Sequence, residues 1–379
     1  MSIVKFSEVA HRAYTREDRF NTEKIYYVGG EHIDSCELYV TKKGVIKGST
    51  IGPMFYCGFT AGQILFVTRN PHLKKCSIAD FDGICSEKTF VIETKDESIL
   101  TQEYLAIIMQ SDDFWNYCEE NKSGGVNYFL NWSTLADYEF ELPPIKQQLE
   151  IAQKVMSAYR LKQSYKKLLD ATREMVKSQF IEMFGTVENN THNFPIMTIG
   201  EFANCFAGAT PSTSHPEYWE NGRIRWMSSG EVHKGHVEDT DFRITELGYK
   251  SASTRMVPIH SIVIAIAGQG KTRGTVAITE VDLCTNQSLC AIVPDERVNY
   301  LYLYHNLQGR YLELRGLSGD VNGRGGLNLK IIQKIPVILP PIEKQQQFAS
   351  IAQQADKSKF ELKQCIENID KVIKSLING

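Results

Sequence analysis

Residues 265–272, Ala265-Ile266-Ala267-Gly268-Gln269-Gly270-Lys271-Thr272, satisfy the loose nucleotide-binding pattern of a small residue, four intervening positions and Gly-Lys-Thr. In a working phosphate loop such a run leads from a strand into a helix, whose first N–H groups cradle the phosphates. The strand is present in Ile262-Val263-Ile264-Ala265-Ile266, but Arg273-Gly274-Thr275-Val276-Ala277-Ile278-Thr279 reads as another strand. No later apolar strand ends in a magnesium-binding aspartate. The same residues fit a hairpin tip carrying Gln269, Lys271, Thr272 and Arg273. Glutamine and arginine suit bidentate contacts with adenine and guanine edges in the major groove, and lysine suits phosphate.

Further segments have the same character. Arg223-Ile224-Arg225-Trp226-Met227-Ser228 alternates basic and apolar residues and ends in a hydroxyl, and residues 319–326 form a glycine-rich loop presenting Arg324. Arg69-Asn70-Pro71-His72-Leu73-Lys74-Lys75 is a cationic turn in acidic surroundings. Each would also serve as ordinary solvated surface. His233 and His236 lack a cysteine or carboxylate partner at zinc spacing. Asp80 and Asp82 alternate into a glycine turn rather than forming a metal loop. We assign no metal.

The elements that must position these residues come from a duplication. Leu142-Pro143-Pro144-Ile145-Lys146-Gln147-Gln148 returns as Leu339-Pro340-Pro341-Ile342-Glu343-Lys344-Gln345. Upstream, Ser123-Gly124 with Val126-Asn127 matches Ser318-Gly319 with Val321-Asn322, and Leu130-Asn131 matches Leu327-Asn328. Residues 62–66 parallel 260–264. Each copy leads into a long run without internal proline. In the first run Ile151, Val155, Ala158, Lys162, Tyr165, Leu169, Thr172 and Val176 recur in alternating steps of four and three. The second places Phe348, Ala352, Ala355, Lys359, Leu362, Ile366, Ile369 and Ile373 in the same register. A repeat of 3.5 residues predicts helices that pack on each other as a coiled coil. Helix one delivers the chain to the second domain and helix two must run back, so the pair is antiparallel, with a pseudo-two-fold axis. The expected organisation is a first domain at 1–145, a spacer helix at 146–185, a second domain at 186–342 and a distal helix at 343–379.

Composition excludes several classes. The chain has 379 residues, 42% hydrophobic and 23% charged, enough for two ordinary cores. No apolar run approaches the roughly 18 residues that span a bilayer, and the N-terminus lacks a signal-peptide core. The nine cysteines contain no CxxC pair, which suits reduced thiols in the cytoplasm. Residues 1–145 carry a net charge of −7 and residues 146–185 one of +4, within a total of −3. So acidic a chain is not a sequence-blind polyanion binder.

The run Phe59-Thr60-Ala61-Gly62-Gln63-Ile64-Leu65-Phe66, followed by Lys74-Lys75 and by residues 79–86, resembles one class of target recognition domain from the specificity subunits of type I restriction-modification enzymes. Gly208-Ala209-Thr210-Pro211-Ser212, Tyr218-Trp219, Gly222-Arg223-Ile224-Arg225-Trp226 and Thr285-Asn286-Gln287 resemble another. The two Leu-Pro-Pro-Ile segments and their helices resemble that family's repeats. The resemblance implies a mixed α/β fold of the α+β kind, with two recognition domains separated by two long antiparallel helices. It implies that each domain reads one half of a bipartite double-stranded DNA target and that the helices set the spacer. It also implies two modification subunits, which bring S-adenosylmethionine and methylate adenine, and two motor-nuclease restriction subunits, which use ATP and magnesium. This chain shows no Asn/Asp-Pro-Pro-Tyr/Phe methyltransferase motif and no GxGxxG opening a nucleotide-binding fold. It is expected to hold no cofactor and to be a reader without chemistry of its own. Two other readings stay open: the recognition subunit of a related enzyme that cuts outside its site, and an independent nucleotide hydrolase built on residues 265–272.

Overall fold

The computed structural model describes residues 2–268, 271–317 and 326–379. The chain divides into two compact units, Met1–Lys167 with Leu362–Gly379, and Leu168–Glu361. Each long helix contributes to both units: the first spans Ile145–Phe184 and the second Ile342–Asn378. At 1.5 Å per residue, the first is about 60 Å long.

The two units share a frame built from duplicated residues. In unit 1, strand Ser2–Lys5 pairs antiparallel with Glu139–Leu142, and a four-stranded sheet runs in the order Ala10–Arg12, Thr89–Thr94, Ile64–Val67, Cys76–Ile78. In unit 2, Ile196–Thr198 pairs with Pro336–Ile338. There the larger sheet begins in the same way, Ala203–Ala207, Leu289–Pro294, Ile262–Ala265, Val276–Thr279, and adds His236–Val237. Short alternating runs of Val, Ile and Phe make these strands, which are buried on both faces in Ile64–Val67 and Ile262–Ala265. Each unit also has a second sheet, and here the copies part. Unit 1 has five strands in the order Thr15–Arg16, Phe55–Phe59, Gly83–Ser86, Tyr26–Val28, Gly44–Val45. Unit 2 has three: Phe242–Ile244, Ile224–Met227 and Cys284–Thr285.

The repeated glutamine explains the Leu-Pro-Pro-Ile segments. Gln148 is fully buried: its Nε2 donates to the Ile99 and Pro143 carbonyls (2.8 and 2.9 Å), and its Oε1 accepts from the Thr101 N–H (3.1 Å). Gln345, equally buried, donates to the Arg297 and Pro340 carbonyls (3.0 and 2.8 Å) and accepts from the Asn299 N–H (2.8 Å). Thr101 and Asn299 are themselves the N-caps of Gln102–Ile108 and Tyr300–Gly309. Each glutamine thus ties the first turn of a long helix to the capping residue of a short one. The prolines before it have no N–H to leave unsatisfied at the helix start.

The residues of the heptad register differ in burial. Val155, Leu169, Val176 and Phe348 are buried, and Ile151, Tyr165, Leu362, Ile366, Ile369 and Ile373 are half-buried. The helices are antiparallel within each unit. In unit 1, Ile151 shares a cavity with Leu376 and Ile377, while Lys162 reaches back to Asp370 at 2.8 Å. In unit 2, Phe184 meets Phe348 with ring centroids 5.7 Å apart, and Arg173 shares a cavity with Lys359. Lys162 is 8% exposed and also lies 3.2 Å from Glu37, which accepts from Tyr159 Oη and Lys166 Nζ (both 2.8 Å). Its duplicate, Lys359, pairs instead with Asp356 of its own helix at 2.5 Å.

Two predictions follow from this packing. Gln148→Ala or Gln345→Ala strands buried carbonyls and an N–H, so each is expected to destabilise its unit by about 2–4 kcal/mol in chemical denaturation, well above a surface Gln→Ala such as Gln147→Ala. Burial opposes ionisation of Glu37, but Lys166, Tyr159 and Lys162 outweigh it and hold its pKa below the ordinary value of 4.5. The stabilisation from ionised Glu37 is therefore present above pH 4.5 and is lost as pH falls through the lowered folded value. Glu37→Gln is expected to cost about 2 kcal/mol at pH 7, and denaturation curves of variant and wild type are expected to converge as the pH is taken below 4.

Candidate nucleic-acid interface

In unit 2 the Gly-Lys-Thr run lies between antiparallel strands Ile262–Ala265 and Val276–Thr279, with Ile262 opposite Ile278 and Ile264 opposite Val276. The Gly274 N–H donates to the Ala265 carbonyl at 2.9 Å, and Gly274 has φ +83°, a left-handed turn that suits glycine. Among the described residues, 271–275 are turn and coil leading into the strand Val276–Thr279, so no helix N-terminus follows Lys271 to hold phosphates. Lys271 is exposed, and its carbonyl accepts from Tyr311 Oη at 3.1 Å. Thr272 is half-buried, its hydroxyl 3.3 Å from His233 Nε2. Arg273 corrects the expectation: it is 4% exposed and lies inside the fold rather than at the tip, because its place beside Gly274 turns it inward with the start of the second strand. Gln269 lies outside the described residues, as does Arg324.

The segment 223–228 also divides. Arg223 is exposed. Arg225 Nε donates to Asp239 at 2.9 Å, and Arg243 Nη2 donates to both oxygens of the same carboxylate at 2.8 and 2.7 Å. Hydrogen bonds from Arg225, the Thr240 backbone and Arg243 hold the Asp239 pKa down at about 2. Trp226 is a second correction, because strand alternation sends it into a small core with Ile244 and Cys284, where its Nε1 donates to the Ala209 carbonyl at 3.0 Å. Ser228 is spent on structure as well: with Glu231 it forms a capping box at the short helix Ser229–Lys234. Gln287 is exposed and hydrogen-bonded to Thr210. His236 lies between Glu280 (2.7 Å) and Asp356 (3.7 Å).

In unit 1 the cationic turn is less free than its sequence suggests. Arg69 is exposed, its guanidinium 5.6 Å from the Phe129 ring centre. Lys74, at φ 49°, points to Asp112 at 3.6 Å, and Lys75 donates to the Gly30 carbonyl. These lysines brace the short helix Pro71–Leu73 and are not presented together. Asp82 accepts from the Ala61 N–H at 2.9 Å, as a turn residue would. Sequence reasoning passed over the cations that sit on rings here: Arg12 at 4.4 Å from the Phe90 centre, Arg16 at 5.0 Å from Tyr56 and Lys43 at 3.9 Å from Tyr26. The readable signal was the interleaving of Arg12, Tyr14, Arg16, Arg19 and Phe20, hidden by the acidity of the surrounding segment.

Residues 192–371 match the family model described as type I restriction modification DNA specificity domain. The specificity subunit of the type I restriction enzyme EcoR124I/EcoR124II from Escherichia coli is 28% identical over 162 residues, 42% of this chain and 40% of that protein. That of MjaIX from Methanocaldococcus jannaschii is 29% identical over 161 residues, 41% of this chain and 35% of that protein. The matched stretches thus span less than half of the length of these relatives. The type I restriction-modification S subunit from M. genitalium has the same fold, with a TM-score of 0.61 at 16% identity, over 99% of this chain and 95% of that one. A chain from a type I restriction-modification system studied for its assembly and conformational transition aligns at 0.62 and 19% identity, over 99% and 96%. Residues 192–371 are thus similar to the DNA specificity domain of type I restriction-modification systems, and the chain as a whole has the fold of solved S subunits.

Among the described residues of unit 2, Lys271 and Arg223 are the exposed candidates for phosphate contacts. Lys271→Ala and Arg223→Ala are each expected to weaken cognate and noncognate duplexes alike and to lower the slope of log K against log salt by roughly one. Titrations at several salt concentrations check this, and a loss confined to one sequence would count against it.

Proposed function

We propose that this chain is the sequence-reading subunit of a type I restriction-modification complex, without chemistry of its own. Residues 1–145 and 186–342 each read one half of a bipartite duplex target, and the helices 146–185 and 343–379 set the spacer between the halves. In this reading two modification subunits dock on the helices and bring S-adenosylmethionine for adenine methylation. Two restriction subunits bring ATP and magnesium to complete the enzyme, in the cytoplasm. No helix among the described residues is long and apolar enough to cross a membrane.

The observation that carries this proposal is a frame made twice with two different outer sheets: the same clasp, the same strand order and the same capped helices support five strands in one unit and three in the other. Two readers on one scaffold match a target of two dissimilar halves. The first long helix also leaves Leu168, Met175 and Ile181 about half exposed, an apolar provision that suits docking of a partner subunit.

Sequencing of methylated DNA from cells expressing this chain with its modification partner is expected to show one asymmetric bipartite motif. Paired insertions of four residues, after Asp170 in the first helix and after Glu361 in the second, would add about 6 Å while keeping the apolar faces nearly aligned. The spacer in the methylated motif is then expected to grow by about two base pairs, with both half-sites unchanged. An active insertion variant that keeps the original spacer would show that helix length does not set it.

A further inference from the structure

Between strands Thr15–Arg16 and Tyr26–Val28 of unit 1, the chain makes a tight turn fixed by its own hydrogen bonds. The Asn21 N–H donates to the Asp18 carbonyl at 2.9 Å, and the Phe20 N–H donates to Asp18 Oδ1 at 3.0 Å. This turn holds Phe20 82% exposed, next to the outermost strand of the five-stranded sheet. The Arg19 guanidinium lies 4.3 Å from the Phe20 ring centre, and its Nε is shielded from solvent without a hydrogen-bond partner. Two of the loop's three acids are turned to other tasks, Glu17 accepting from the Thr15 and Thr22 hydroxyls (3.3 and 2.9 Å) and Asp18 from the Phe20 N–H, while Glu23 is exposed. Arg12, Arg16 and Arg19 meet aromatic rings instead. In a segment with a net charge of −7, this is a concentration of cation and ring on one exposed edge.

We propose that the turn at Asp18–Asn21 is a DNA-contacting finger of the first domain, in which the Phe20 ring wedges against a base step of the half-site while Arg19 and Arg16 engage the flanking phosphates. This rests on the reading of the chain as a DNA reader and adds to it a residue-level contact that the cationic turn at 69–75 does not supply. An apolar ring at a rigid turn, flanked by guanidinium groups, is the combination that unstacks a base step at modest cost to the protein, because the turn is ordered before binding. A ring that the free protein leaves in water has no packing role to lose, so its removal should leave the fold intact.

The test uses the native complex, purified through a tag on this chain. The wild-type complex is first used to select its motif from random duplexes. Phe20→Ala, Phe20→Trp and Arg19→Ala complexes are then titrated on that duplex, with 2-aminopurine placed in turn at each step of the first half-site. Phe20→Ala is expected to bind about tenfold more weakly and to lose a 2-aminopurine fluorescence increase that the wild type and Phe20→Trp both give at one step. Arg19→Ala is expected to weaken binding with a shallower salt dependence and the same thermal midpoint. Selection of a motif by the wild type, with Phe20→Ala matching it in affinity and fluorescence, overturns the finger and leaves DNA reading intact. Loss of the modification subunit from Phe20→Ala with unchanged DNA affinity shows a protein contact instead and also overturns it. Failure of the wild type to select any motif removes both the finger and the reading beneath it.

Discussion

A buried side-chain amide with all its hydrogen-bonding groups engaged is the constraint on which the architecture turns. Gln148 and Gln345 each stand where a long helix begins, each fully buried, and each bridges a proline carbonyl of the approach and two backbone groups around the cap of a short helix. An amide in that position is costly unless every donor and acceptor is met, so only one exit direction of the helix satisfies it. Apolar packing alone would tolerate sliding or rotation by a few residues. The glutamine does not, and it therefore converts a sticky helix into one with a fixed origin relative to its own sheets.

The seam then shows what duplication keeps and what it releases. Both copies hold a lysine at the same heptad position, but in unit 1 Lys162 is clasped by Glu37 and Asp370, while in unit 2 Lys359 turns to Asp356. Around it unit 2 has gathered His236 against Asp356 and a half-buried His305, whose pKa desolvation lowers to about 4, keeping that imidazole neutral near pH 7. Buried ionic groups contribute more to register than to net stability, because desolvation cancels much of their attraction. Lys162 fits that role: with Asp370 across the helix pair and Glu37 on the domain, a shift of one turn would leave a buried ammonium without carboxylates. Two halves with different polar partners at equivalent places are also no longer interchangeable.

The repeat and both long helices were legible in the sequence because they depend on periodicity and on a proline motif. The paired strands Ile262–Ala265 and Val276–Thr279 were legible for the same reason, since a helix after Gly270-Lys271 would have required a different pattern from Val276-Ala277-Ile278. Site residues were harder. Arg273 and Trp226 have the chemistry of DNA contacts but are buried, one by its place beside a glycine turn and the other by strand alternation next to Ile244. Lys74 and Lys75 look like a cationic patch in one dimension, whereas in three dimensions they answer Asp112 and the Gly30 carbonyl. What misled was treating side-chain type as exposure; the partners that decide exposure are distant in sequence.

The internal pairing of so many cations also bears on how a chain this acidic can be selective. In unit 2, Arg225 and Arg243 share Asp239, and Lys234 is held by Glu231 and Asp241 at 2.8 Å each. Such pairs weaken long-range attraction to any polyanion, which is the component of DNA affinity that ignores sequence. They also hold guanidinium groups in set orientations before a ligand arrives, which lowers the entropy lost when a particular base edge is met. Phosphate attraction would then fall to exposed cations such as Arg223 and Lys271 among the described residues. For the DNA reader proposed above, fixed side chains of this kind would serve choice among sequences more than strength of binding, which is consistent with two dissimilar second sheets on one repeated frame.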